Sequence, residues 1–290
     1  MIFRLLALLF LPLAVSAEVL TQWSGATEVN QKYTNSLKMD LVYIPSGSFM
    51  MGSPEGEAYR TNDETLHKVN LTQSFLMGTT EVTQEQFQQV MELGMKELIS
   101  RRQQEADAAK EADKKLTAGM SSAEKKAYLA KKKKLVNEIK YPGGPRQAPK
   151  VKATPEQKAQ QKITQKEIQA LKEQYKNDKK AGKHIGFGAN YPIGFVSWSE
   201  AVEFCQKLTK IEHEKGTLPK DWVYRLPTDA EWEYACRAGS QTPVFTGAQP
   251  TVIDRKSIVE FKEYAWSNTN SGNKTHPVAQ LKASPWLRHL

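Results

Sequence analysis

A chain of 290 residues, 39 % of them hydrophobic and 25 % charged, can bury a real core and has room for one large domain or two small ones. Its net charge of +9 is unevenly placed: residues 96–183 hold 24 Lys and Arg against 11 Asp and Glu, while the rest of the chain holds 17 against 21. The basic character therefore belongs to one segment, and that segment lacks the interleaved aromatics on which bases stack, which argues against nucleic acid as the partner.

The chain opens with Arg4, an apolar run over residues 5–15, and Val15-Ser16-Ala17, a small-residue cleavage pattern. This is the layout of a signal peptide, too short for a comfortable membrane span. Residues 1–17 are expected to lie outside the fold, with the mature chain starting at Glu18; a retained anchor is the alternative. No second apolar run is long enough to span a bilayer. The expected location is therefore periplasmic or secreted. Residues 18–40 read as a polar lead-in.

From Leu41 the β-branched and aromatic run LVYI, stopped by Pro45, predicts a strand. Ser46-Gly47-Ser48 reads as a turn and residues 49–53 as a second strand, the two forming a hairpin. HKVNL, residues 67–71, alternates as a strand should, and residues 74–78 continue apolar. Thr83 and Gln86 then form a T-x-x-Q capping box, with Phe87, Val90 and Met91 on the apolar face of the helix that follows.

Residues 96–140 are rich in Ala, Lys, Glu and Gln; YPGGP breaks the run at 141–145, and residues 155–182 resume it. The pattern predicts a polar helical hairpin, or a helix that frays into disorder, without the sustained heptads of a coiled coil. Its basic surface fits an anionic partner: an acidic protein, a glycan or a membrane surface.

The globular pattern returns at residue 191. Ser197 and Glu200 make a second capping box, followed by the stripe Trp198, Ala201, Val202, Cys205 and Leu208. In YRLPTDAEWEYACRAG, residues 224–239, Thr228 and Glu231 make a third box, Trp232, Ala235 and Cys236 form an apolar face, and Gly239 ends the helix. Cys205 and Cys236 are the chain's two cysteines; in an exported protein such a pair suggests a disulfide, but their spacing leaves open whether they meet. The five histidines are scattered, and none shows metal-ligand spacing.

Five blocks in order resemble the sulfatase-modifying factor, or formylglycine-generating enzyme, family: LVYIPSGSFMMGS (41–53), ETLHKVNLTQSFLMGTTEVTQEQF (64–87), YPIGFVSWSEAVEFCQKL (191–208), YRLPTDAEWEYACRAG (224–239) and YAWSNTNSGNKTHPVAQ (264–280). The resemblance implies an α+β fold related to C-type lectins, with short strands, few helices and much ordered loop. The domain would run over residues 41–290, interrupted by the Lys-rich insertion 96–183. Complete members use copper, held by a cysteine pair near the C-terminus, to oxidise a substrate cysteine, and also bind calcium. Here the family's "G-L-x-D-M-x-G-N-V-W-E-W" approach is replaced after Ala283 by SPWLRHL. The resemblance therefore implies an incomplete domain, with no catalytic, cofactor or metal residue to assign in this chain and no cofactor expected of it. Arg225, Thr228, Glu231, Trp232, Ser197 and Trp198 are expected to be structural, and Cys205 and Cys236 to be structural cysteines without partners. The expected function is a protein- or glycan-binding module or a truncated relative of the enzyme; the alternative is a formylglycine-generating oxidase.

Overall fold

The computed structural model describes residues 8–10, 32–57, 60, 63–140, 185–242, 245, 263–266, 270–272 and 274–283. Its strands are β1 (Leu8–Phe10), β2 (Lys32–Thr34), β3 (Asp40–Ile44), β4 (Gly47–Met51), β5 (His67–Leu71), β6 (Phe75–Gly78) and β7 (Tyr224–Arg225). Its helices are α1 (Gln84–Met91), α2 (Met95–Leu116), α3 (Ser122–Lys140), α4 (Trp198–Glu214) and α5 (Asp229–Arg237). Mixed α and β content with short strands agrees with the expected fold class.

Five strands form one antiparallel sheet in the order β2-β3-β6-β1-β7. Successive side chains point to opposite faces, and both faces of this sheet are covered. Leu41 and Leu76 pack with Phe87, Val90 and Met91 of α1, Met95 and Leu98 of α2, and Ala201, Phe204, Cys205 and Leu208 of α4. On the other face Val42, Ile44, Phe75 and Met77 meet Ala235 of α5. The register sets Val42 opposite Met77 and Ile44 opposite Phe75, so like faces meet like. Where α1 crosses α4, the rings of Phe87 and Phe204 stack with centroids 5.5 Å apart.

The expected hairpin of residues 41–53 does not form. β3 pairs with β2 and β6, whereas β4 pairs with β5 in a separate two-stranded sheet. Pro45 offers no backbone donor, and the chain turns there from one sheet to the other. The main sheet also starts earlier than expected, with β2 lying inside the segment read as a lead-in. Leu8–Phe10, read as part of the leader, form β1 between β6 and β7; the other leader residues lie outside the described residues.

Up to Lys140 the Lys-rich segment is helical, and its first helix folds back earlier than the composition suggested. The turn falls at residues 117–121, and Ser121 and Glu124 cap the second helix: Glu124 accepts from the Ser121 amide at 2.8 Å. That S-x-x-E signal was readable in the sequence. Across the turn Lys132 pairs with Asp113, and the Tyr128 hydroxyl donates to Asp113 at 3.1 Å. The first turn of α2 belongs to the core, since Met95 and Leu98 are buried. The expected break at 141–145 and the run 155–182 lie outside the described residues.

The chain returns beside α1. Gln84, buried at the start of that helix, donates through Nε2 to the Gly186 carbonyl at 2.9 Å, and its amide donates to the Tyr191 carbonyl at 2.8 Å. Ile193 N–H donates to the Val82 carbonyl at 2.9 Å.

Candidate functional site

All three expected capping boxes form, on Thr83–Gln86, Ser197–Glu200 and Thr228–Glu231. Each satisfies two backbone N–H groups at the helix start, those of the N-cap residue and of the third helical residue. Two of the boxes are extended into ion pairs, and these gather most of the residues singled out in the sequence.

At the first, Glu231 is buried and faces Arg225 across the β7–α5 corner. Arg225 Nη2 donates to Oε1 at 2.6 Å and Nη1 to Oε2 at 2.9 Å. Oε2 also accepts from the Thr228 amide at 2.8 Å. Burial pushes the Glu231 carboxyl up, but the Arg225 and Thr228 hydrogen bonds outweigh it and hold the group below its ordinary value. Two residues on, Glu233 accepts from the Gly52 amide at 2.9 Å, and Arg237 Nη2 donates to the Gly52 carbonyl at 2.7 Å. This clasp ties α5 to the end of β4.

At the second, Glu200 accepts from the Ser197 amide at 2.7 Å and from Arg102 Nη2 at 2.5 Å. Arg102 Nε also donates to the Phe195 carbonyl at 3.0 Å. Burial acts to raise the Glu200 carboxyl, and the Ser197 and Arg102 interactions reverse it. The base of the helical arm is thus fixed to the start of α4. Beside this joint stand two exposed aromatics, Phe195 and Trp198, the latter 69 % exposed. Trp198 was expected in the apolar stripe. It is the first residue of α4, and Ala201, Phe204, Cys205 and Leu208 supply the buried face behind it. Phe195 is held at φ 59°, a left-handed conformation that a bulky residue rarely adopts.

The apolar face expected on α5 is also shifted. Glu231 and Ala235 are buried, Trp232 is half-buried and Cys236 is exposed. The cysteines are both thiols, so the disulfide their pairing suggested is not present in the structure. Cys205 is buried in the α4 face, and burial pushes its thiol up to about 12, only partly offset by the nearby Arg225 charge.

One network went unread in the sequence. Glu212, fully buried, accepts from Ser36 Oγ at 2.5 Å and Thr217 Oγ1 at 2.7 Å. Asn35 Oδ1 accepts from the amides of Leu37 and Met39, at 3.0 Å and 2.9 Å, and its Nδ2 donates to Tyr224 Oη at 3.1 Å. Burial first, and Glu212 second, push Tyr33 up to about 12. Its only local signal is the turn-forming Asn-Ser pair at 35–36. Three of the five histidines bond to backbone carbonyls: His67, His213 and His276. His276 also stacks on Trp266 with ring centroids 3.8 Å apart.

These arrangements position helices and present surface. The thiols do not fit copper: a Cu(I) pair needs two thiolates at one point, whereas one thiol is in the core and the other on the exposed side of a different helix. Among the described residues no three His, Cys, Asp or Glu side chains converge as a metal site.

The family model of the sulfatase-modifying factor enzyme 1-like domain matches residues 26–287. With a match over so much of its length, the chain belongs to that family. It is 40 % identical over 57 residues to the mouse (Mus musculus) formylglycine-generating enzyme, covering 20 % of this chain and 12 % of that protein. It is 28 % identical over 139 residues to the chaperone protein LppX of Paenibacillus barcinonensis, covering 33 % of this chain and 47 % of that one. The chain thus matches about half or less of the length of these relatives. PvdO from Pseudomonas aeruginosa, a solved structure, is similar with a TM-score of 0.45 at 18 % identity, over 90 % of this chain and 70 % of that chain.

Proposed function

We propose that the protein is an exported member of the sulfatase-modifying factor family that binds a partner and does not itself oxidise cysteine. The observation that carries this reading is the separation of its two thiols, Cys205 buried and Cys236 exposed. Similarity to a relative named as a chaperone also supports a binding role. The Lys-rich helices supply the contact: α3 carries seven lysines and two glutamates, and Lys125, Lys126, Lys131 and Lys133 are exposed. Their charge suits an acidic glycan, an acidic protein or an anionic membrane surface. Among the described residues no helix is long and apolar enough to cross a membrane.

The test is Cu(I) titration of the purified protein with oxygen uptake on a C-x-P-x-R peptide. The expected outcome is neither stoichiometric copper binding nor uptake. Both together would establish the second reading, a formylglycine-generating oxidase, which the 40 % identity to the mouse enzyme favours.

A further inference from the structure

The middle of the main sheet holds a strand from the segment read as a leader. Leu8, Leu9 and Phe10 pair antiparallel with Met77, Leu76 and Phe75 on one side. On the other side Leu8 and Leu9 pair antiparallel with Arg225 and Tyr224. Adjacent strands lie about 4.8 Å apart. Without β1, β6 and β7 would stand about 9.6 Å apart, too far to bond to each other.

Both walls of that gap are held by other parts of the molecule. β6 is paired along its length with β3. β7 is fixed from behind: the Tyr224 amide donates to Thr209 Oγ1 of α4 at 2.8 Å, and the Tyr224 hydroxyl accepts from Asn35. Arg225 is tied to Glu231. Removing β1 therefore leaves two anchored strand edges with open backbone donors and acceptors inside a covered sheet, an arrangement that costs free energy until another strand fills it.

We propose that cleavage of the leader opens a strand-acceptor slot between β6 and β7, and that the exported protein uses it to bind an extended apolar segment of another polypeptide. This rests on the exported reading. The occupant's chemistry follows from the walls. It runs antiparallel to both neighbours, is extended over at least three residues, and is apolar on both faces, because the adjoining Phe75, Leu76, Met77 and Tyr224 lie in the cores on the two sides of the sheet. Leu-Leu-Phe is the chain's own example of such a segment. Strand addition of this kind takes affinity from main-chain hydrogen bonds and specificity from alternate side chains.

The experiment compares two forms of the whole chain: protein recovered after export, with its N-terminus read by mass spectrometry, and protein made without export, with the leader kept. The probe is a fluorescent peptide carrying residues 6–11 between solubilising lysines. The exported form, starting near Glu18, is expected to bind it saturably at 1:1, and the leader-retaining form at least tenfold more weakly. A peptide with Pro in place of Leu9 is expected not to bind. Equal binding by both forms, or by the Pro peptide, overturns the slot, as does a folded exported form that binds nothing. Hydrogen exchange gives a second reading: of the β6 amides, those directed at β1 rather than at β3 should be protected in the leader-retaining form and, in the exported form, only once peptide is added. An exported form that is unfolded alone and orders on adding peptide supports the proposal; one that stays unfolded with it overturns it. If the exported chain still begins at Met1, the leader reading fails; the slot is then judged on the Leu9→Pro chain, which must take up the peptide with the same change in exchange.

Discussion

The guanidinium of Arg225 and the carboxylate of Glu231 meet at two points, 2.6 Å and 2.9 Å, across the corner where β7 turns into α5. The same carboxylate caps the helix through Thr228. One side chain thus fixes both the direction of the helix and its first turn. Glu231→Ala removes the cap and leaves a half-buried guanidinium without its carboxylate. A fully buried pair broken this way costs about 3–5 kcal/mol; the partial exposure of Arg225 brings the expected loss to about 2 kcal/mol. Thr228→Ala, which removes only the hydroxyl cap, should cost about 1 kcal/mol. Urea unfolding midpoints rank the two variants.

The same pair sets an acid limit. Glu231 and Glu200 both titrate below their ordinary value in the folded state. Their contribution to stability is therefore present above the unfolded carboxylate pKa of about 4.5 and is lost as pH falls through the folded values. Unfolding followed between pH 6 and pH 2 should show stability falling below about 4.5, with a shallower fall in Glu231→Gln. A variant as acid-sensitive as the parent would count against this assignment.

The two thiols should behave differently. With its thiol pushed up to about 12, Cys205 presents almost no thiolate at neutral pH and is buried as well. A thiol reagent should label one cysteine in the native protein, at Cys236, and the second only on unfolding. Cys236→Ser should leave the native protein unlabelled by mass spectrometry.

Gly52 lies at φ 94°, and a Cβ there would meet the Thr65 carbonyl oxygen at 2.6 Å and the Glu64 carbonyl oxygen at 2.9 Å. Both contacts are backbone and cannot swing away. Gly52→Ala should cost about 1–3 kcal/mol from overpacking, with a further penalty of about 1–2 kcal/mol for the left-handed conformation. Thermal unfolding of that variant beside Gly56→Ala, where the added Cβ meets nothing within 4 Å, isolates the effect.

The stacked rings of Phe87 and Phe204 join α1 to α4, and both residues are fully buried. Phe204→Ala should lose about 3–5 kcal/mol. Phe204→Leu should keep most of the packing and lose less. Circular dichroism melts at one protein concentration check the order.

Features set by a few neighbouring residues were legible in the sequence. The three capping boxes are of this kind, because the capping side chains and the backbone amides they meet lie within one turn. Strand β5 was legible from its alternation. Partner choice between strands was not: Pro45 marks an end, but nothing near it says that β3 and β4 belong to different sheets. An apolar run such as residues 5–15 has the same composition whether it serves as a leader or supplies a strand, so Leu8–Phe10 could not be placed from periodicity. Trp198 misled because the i, i+3, i+4 rule does not say where along a helix the core begins. The family was readable from five blocks in order, whereas the buried Glu212 network spans 176 residues between Ser36 and Glu212 and left almost no local trace.

The bonds that Gln84 makes to Gly186 and Tyr191 bring the chain back beside the helix that precedes the arm, while Arg102 ties the outgoing helix of the excursion to Phe195. Departure and return thus share one patch of the domain. Closing a long loop over a fixed short gap costs only about 0.6 kcal/mol per doubling of its length. The region beyond Arg102 is accordingly an engineering port: a reporter or affinity module spliced near the helical turn at residues 117–121 would hang from the domain without changing the distance its ends must bridge.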